Sequence, residues 1–177
     1  AAAANTSGGV LLDLGREYEA AAAHRLSRDV YRSLNDGDII YPLAGLGLLY
    51  NYQSDFESAL PLFQEVVDSL RVKHDGAHYV LGEALGNLAG TLYELEQPDR
   101  ALAVRKEAVD MLIETVGEAH YSTIVSRATY TNELRGSGQV TDAQQVAQRN
   151  LVVAREALGP MHSLTAYAEN VAGQTYC

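Results

Sequence analysis

A phrase that returns every 42 residues constrains this chain more than any other feature. Gly76-Ala77-His78-Tyr79 comes back as Glu118-Ala119-His120-Tyr121 and again as Pro160-Met161-His162-Ser163. The Ala59-Leu60 pair returns as Ala101-Leu102, with Ala143 one period later. A fixed period of this length belongs to an array of like supersecondary units, each burying its apolar face against the next. Such an array needs no closed core. It presents a surface more readily than it houses a reaction.

The apolar pattern inside each period is helical. Leu62, Val66, Val67 and Leu70 recur as Val104, Ala108, Val109 and Leu112, the i, i+4, i+5, i+8 stripe of an amphipathic helix. Leu43, Leu46, Leu49 and Tyr50 are spaced by threes and fours and supply the partner helix. Ser54-x-x-Glu57 and Thr141-x-x-Gln144 read as capping boxes that open the second helix of their units. Pro98 falls where the second helix of the next unit should begin, and a first turn tolerates its missing N–H. The reading is helix–turn–helix units over residues 38–78, 79–120 and 121–162. A degenerate leading unit over 9–37 has Gly9, Leu12 and Ala21 in the repeated slots, and a partial unit occupies 163–177. Residues 1–8 lack both an initiator Met and the charged-then-apolar order of a signal peptide, and are read as a linker or expression remnant. The chain stops inside the first helix of a further unit, so a piece of a longer array is expected. Its uncapped terminal repeat offers a route to self-association.

Composition removes several function classes. The formal charge is −10, from 23 acidic and 13 basic side chains, a surface that repels phosphate backbones and anionic membranes. Nucleic acid is therefore not an expected partner, and a basic or neutral-polar protein segment is. No run approaches the roughly 18 apolar residues that a membrane span needs, so no membrane insertion is expected, and the location is taken as cytoplasmic. The single cysteine, Cys177, excludes an intrachain disulfide.

The histidines invite a metal reading that their spacing does not support. His78, His120 and His162 sit at equivalent places in successive units, at least ~8–10 Å apart by helix packing. Zinc ligands must converge on bonds of about 2.0–2.1 Å. The simpler reading is that each satisfies backbone groups at the turn between units. His74 and His78 lie four apart, but Gly76 is expected to end the helix between them. There is no G-x-S-x-G elbow, no cysteine beside a histidine and no phosphate-cradling loop. Gly82, Gly86 and Gly90 are spaced by four, which suits close helix approach instead. Pairs such as Glu17/Glu19 and Glu94/Glu96 fall on solvated faces. No catalytic residue, metal or cofactor is expected.

Aligned by their period, Leu46-Gly47-x-x-Tyr50 and Ala59-x-x-x-Phe63 are followed by Leu88-Ala89-x-x-Leu92 and Ala101. The third copy reads Tyr130-Thr131-x-x-Leu134 and Ala143-x-x-x-Ala147, and a fourth begins at Ala172-Gly173-x-x-Tyr176. This pattern resembles the tetratricopeptide repeat, with its L-G-x₂-Y and A-x₃-F slots. The period of 42 in place of about 34 is similar to the kinesin-light-chain-like subclass. So is the phrase Leu158-Gly159-Pro160-Met161-His162-Ser163-Leu164-Thr165-Ala166, in which Ser163 replaces a proline. The resemblance covers roughly residues 9–177.

It implies an all-α fold, a right-handed α-solenoid of stacked antiparallel helix pairs. It also implies a non-catalytic protein–protein interaction module whose first helices line a concave groove. The groove slots carried over are Tyr41, Leu48, Asn51 and Tyr52, then Glu83, Asn87, Gly90 and Tyr93. The third unit supplies Val125, Thr129, Asn132 and Arg135, and the last Tyr167, Asn170 and Gln174. A carboxamide can donate to and accept from an extended backbone at once, and tyrosine adds contact area at low entropy cost. The chaperone-binding branch of the family grips a C-terminal carboxylate with lysines and arginines. Here only Arg135 occupies such a slot, so an acidic C-terminal peptide is not the expected groove ligand. Because kinesin-light-chain-like repeats often adjoin an effector domain in larger bacterial proteins, the alternative is a regulatory or sensor segment that switches a neighbour.

Overall fold

The computed structural model describes residues 11, 14–34, 37–73 and 76–176. Expectations that fall on residues 1–8, Gly9, Leu12, His74 and Cys177 lie outside these. The described residues hold eight α-helices and no strand. They run α1 Glu17–Leu34, α2 Ile40–Tyr52, α3 Phe56–Lys73, α4 Tyr79–Glu94, α5 Pro98–Val116, α6 Tyr121–Gly136, α7 Val140–Leu158 and α8 Ser163–Gln174. A short 3-10 turn, Gly37–Ile39, leads into α2. The chain divides into two compact units after Gly76.

In the first unit α2 packs on both α1 and α3. Leu43, Leu46 and Leu49 are almost fully buried, facing Ala59, Phe63, Val67 and Leu70 of α3, which are 0% exposed. Gly47 is glycine for a steric reason: a Cβ there would sit 2.8 Å from the Phe63 ring. A Cβ at Gly45 would fall inside the buried His24 imidazole of α1. Burial away from water lowers the His24 pKa below its usual value. The neutral imidazole thus contributes stability fully above the unfolded-state value of about 6.5, and that contribution is lost as pH falls through the lower folded value. In urea melts, the stability advantage of the wild type over His24→Gln should shrink as the buffer is acidified below about pH 6.5. A pH-independent gap would contradict the burial of a neutral ring.

In the second unit α4 pairs with α5 and α6 with α7, while α8 closes against α6 and α7. Ala101 and Ala143, like Ala59, are 0% exposed where the paired helices cross. The expected alanine register is therefore observed. Only a small side chain lets helix axes approach within ~8–10 Å. Ala101→Leu should overpack the crossing and cost about 1–3 kcal/mol, read as a lower melting temperature. The glycine stripe of α4 works in the same way. A Cβ at Gly82 would lie 3.0 Å from Leu112, and one at Gly86 would lie 3.3 Å from Nη1 of Arg105.

The repeated phrases turn out to be turn chemistry. Ser54, Glu96 and Gly138, spaced by 42, all take the left-handed backbone conformation at φ 57°, 56° and 76°. Each is followed by an N–H that reaches back to the preceding helix: Asp55 to Tyr50, Gln97 to Leu92 and Gln139 to Leu134. This closure corrects the expected capping boxes. Ser54 is spent on the turn, so Asp55 caps α3 by accepting from the Ser58 N–H at 3.2 Å. Thr141 lies inside α7, whose N-cap is Gln139 without a side-chain bond, and Gln144 instead donates to the Thr175 carbonyl. Pro98 opens α5 as expected.

The histidine phrase builds the other turn. Gly117 and Gly159 follow α5 and α7 at φ 87° and 83°, a conformation that favours glycine. His78, His120 and His162 are the N-caps of α4, α6 and α8. Their Nδ1 atoms accept from the N–H groups of Val80, Ser122 and Leu164 at 3.3, 3.3 and 3.1 Å. The turn role read from the sequence is the one observed. Thr123 and Thr165 lock the same turns by donating to the Gly117 and Gly159 carbonyls at 2.8 and 2.7 Å.

Candidate functional site

The first helices carry the candidate slots. On α2, Tyr41, Leu48 and Tyr52 are 51%, 44% and 70% exposed, and Asn51 is half-buried. These positions recur by sevens and fours, so one face of α2 presents two tyrosines and a leucine to solvent. On α4, Glu83 is exposed while Asn87, Gly90 and Tyr93 are half-buried. On α6, Val125, Thr129 and Asn132 are half-buried and Arg135 is exposed. On α8, Tyr167, Asn170 and Gln174 are exposed, and Gln174 donates to the Asn170 side chain at 2.8 Å.

Five of these residues meet in one depression of about 380 Å³ between α4 and α6. Gly90 and Tyr93 form one wall; Thr129, Asn132 and Arg135 form the other. Glu83 and Asn87 lie elsewhere on α4 and do not line it. Gly136 lets the walls close, since a Cβ there would fall on the Tyr93 hydroxyl. Asn132 Oδ1 is buried and has no hydrogen-bond partner. A buried carbonyl without a donor costs free energy that an incoming N–H would recover.

The depression rests on a pair that lies outside the first-helix slots. Arg105 of α5 donates through Nε to both Glu133 oxygens at 3.2 and 3.1 Å, and through Nη2 to Oε1 at 2.9 Å. Both side chains are under a tenth exposed and both line the depression. Gly86 and Gly90 leave room for the guanidinium, which passes 3.5 Å from where a Gly90 Cβ would stand. Arg135 is thus not the only cation here, as the slots alone implied. Arg105 is neutralised by Glu133, however, and the lining also holds Glu94, opposite in sign to Arg135. The site is polar with little net charge. The signal for Arg105 was available, because it stands one period after Phe63, in the slot that the repeat fills with an aromatic ring.

Among the described residues, no three His, Cys, Asp or Glu side chains gather as metal ligands would. No described helix is long and apolar enough to cross a membrane.

Residues 39–114 match the sequence profile of the family described as "Tetratricopeptide repeat". No curated protein matches the chain in sequence. Among solved structures it is similar to the putative kinesin light chain with nearly identical TPR-like repeats from Podosopora anserina, at 15% identity and TM-score 0.89, covering 98% of this chain and 84% of that one. It is also similar to BtubC (BKLC) from P. vanneervenii, at 17% identity and TM-score 0.81, over 96% of this chain and 68% of that one. A third, YrrB, a TPR protein with an unusual peptide-binding site, gives 18% identity and TM-score 0.64 over 98% and 74% of the two chains. Residues 39–114 thus carry the tetratricopeptide-repeat sequence pattern, and the chain has the all-helical solenoid fold of the kinesin-light-chain-like repeat structures.

Proposed function

We propose that this chain is a non-catalytic protein-interaction module that holds an extended segment of a partner on the first-helix face of the unit after Gly76, across α4 and α6. The observation that carries this reading is the α4–α6 depression, where Asn132 Oδ1 is buried without a donor beside Tyr93 and Arg135. A backbone N–H of a bound segment would complete that carbonyl. The mutual neutralisation of Arg105 and Glu133 favours a neutral-polar segment at this point, and the chain's charge of −10 favours basic flanks over acidic ones. Tyr167, Asn170 and Gln174 offer further contact on α8, and Tyr41, Leu48, Asn51 and Tyr52 offer a contact face of their own on α2 of the first unit. YrrB, which shares the fold, is described with a peptide-binding site of its own, and that likeness supports a peptide as the ligand class. The second reading is a sensor segment within a larger signalling protein, and the same groove would serve it.

The test is selection of peptides from a random library on the purified chain, followed by affinity measurement on variants. Asn132→Ala should weaken a selected peptide by about 0.5–1.5 kcal/mol, the worth of one neutral hydrogen bond, without loss of fold. Peptides that bind Asn132→Ala and Arg135→Ala at full strength would remove the depression from the site. Affinity for lysine-rich peptides should fall with added salt as the Debye length shrinks below about 10 Å.

A further inference from the structure

A second cavity in the unit after Gly76 lies among the second helices, where the groove reading gives it no role. It has a volume of about 290 Å³ and sits between α5 and α7, over α6. Its walls are mainly apolar: Val109 and Ile113 of α5, the Tyr130 ring of α6 and Val146 of α7. Arg127 and Arg149 also line it.

Arg127 is the unusual member. Its side chain is 7% exposed, and its Nη2 donates to Glu118 Oε2 at 3.0 Å. Its Nη1 is buried and has no hydrogen-bond partner. Glu118 cannot serve Arg127 alone, because Arg149 donates to both its oxygens at 2.9 Å. The Arg149 bond, with Arg127 behind it, holds the Glu118 carboxyl below the usual carboxylate range, so it contributes one negative charge against two guanidiniums. Lys106, the remaining cation of the wall, is balanced by Asp110 at 2.7 Å. Of the residues that line it, Lys106, Arg127 and Arg149 are cations and Asp110 is the one acid, with Glu118 shared between the two arginines and Glu156 acting on Arg149 from outside the lining. A buried guanidinium edge without an acceptor is costly, and an anion would remove that cost.

The lining narrows the anion. A phosphate dianion asks for several donors, and a single guanidinium edge amid aliphatic walls suits one carboxylate better. The volume is at the floor of the about 300–1,000 Å³ usual for small-molecule sites, room for a body the size of one residue. We propose that the α5–α7 cavity binds a single carboxylate carried on an apolar body, with the Arg127 guanidinium as its charged donor. Long-range repulsion from the acidic surface is screened beyond about 8–10 Å at physiological salt, so it does not prevent binding at a contact of this kind.

The experiment is an NMR titration of the isotope-labelled full chain with N-acetyl-leucine and with N-acetyl-leucinamide. A tetrapeptide ending in leucine, as free acid and as amide, forms the second pair. Saturable shifts of the Tyr130 ring and Ile113 methyl signals are expected with the acids, and at least about tenfold weaker binding with the amides, which is about 1.4 kcal/mol. Response to both acids assigns the site to a chain terminus; response to N-acetyl-leucine alone assigns it to a small carboxylate. Arg127→Gln should weaken the acid about tenfold or more. Because that change also disturbs Glu118, Gln145→Trp, at an exposed lining position, provides a second variant that blocks the cavity and should abolish the shifts. Equal binding of acids and amides, shifts confined to other residues, no saturation with either acid, or full affinity in both variants would overturn the proposal.

Discussion

Glu133→Ala should lower the stability of the chain by about 3–5 kcal/mol, because it leaves the Arg105 guanidinium buried without its counter-charge. The two side chains are 8% and 5% exposed and share three hydrogen bonds, so water cannot take the place of the lost carboxylate at little cost. Gly86 and Gly90 add to the effect. They clear space that the guanidinium fills, and neither position carries a side chain that could cover the charge. The double substitution Arg105→Met and Glu133→Leu should recover most of the loss, since a buried ion pair exchanged for apolar groups of similar volume is often neutral or better. Urea denaturation of the two variants decides this. A Glu133→Ala midpoint equal to the wild-type value would mean that the pair is not buried as described.

Phe63→Ala should cost about 3–5 kcal/mol, the range for removing a fully buried aromatic ring. Phe63 is 0% exposed and seated over Gly47, so truncation leaves a void bordered by a residue with no side chain to fill it. Tyr18→Ala provides the control. That ring is 91% exposed, and its removal should stay within about 0.5 kcal/mol. Loss of equal size in both variants would contradict the packing of α2 on α3.

The phrases recurring at 42 residues were readable because each satisfies a backbone demand that does not depend on the rest of the molecule. A histidine preceding a helix caps it, a glycine after a helix turns it, and an alanine at a crossing stays small. The expected capping boxes failed for an equally local reason. Ser54 occupies a left-handed turn position that the sequence marks with glycine only at its third occurrence, Gly138, so the cap moves on to Asp55.

What spacing could not supply was pairing between copies that depart from the repeat. Arg105 stands where Phe63 stands one period earlier, and Glu133 stands where the earlier copies have Leu49 and Thr91. Each looks like a lapse in the pattern when taken alone. Their joint burial across 28 residues appears only once α5 and α6 are packed. The groove slots are the intermediate case. Helical spacing put Tyr93, Asn132 and Arg135 on first helices, and side-chain packing decided that these three, and not Glu83 or Asn87, share a depression. The α5–α7 cavity had no sequence signal, since it is formed by what the side chains of three helices leave unfilled.

The central claim is that partners are held on the first-helix face. The direct measurement is the NMR or hydrogen-exchange footprint of a library-selected peptide on the full chain, mapped residue by residue. The account predicts perturbation at Tyr93, Thr129, Asn132 and Arg135, on α4 and α6, and at Arg105 beneath them, with Ile113, Gln145 and Arg149 unaffected. A footprint confined to Lys106, Ile113, Gln145 and Arg149, on the second helices, would contradict it.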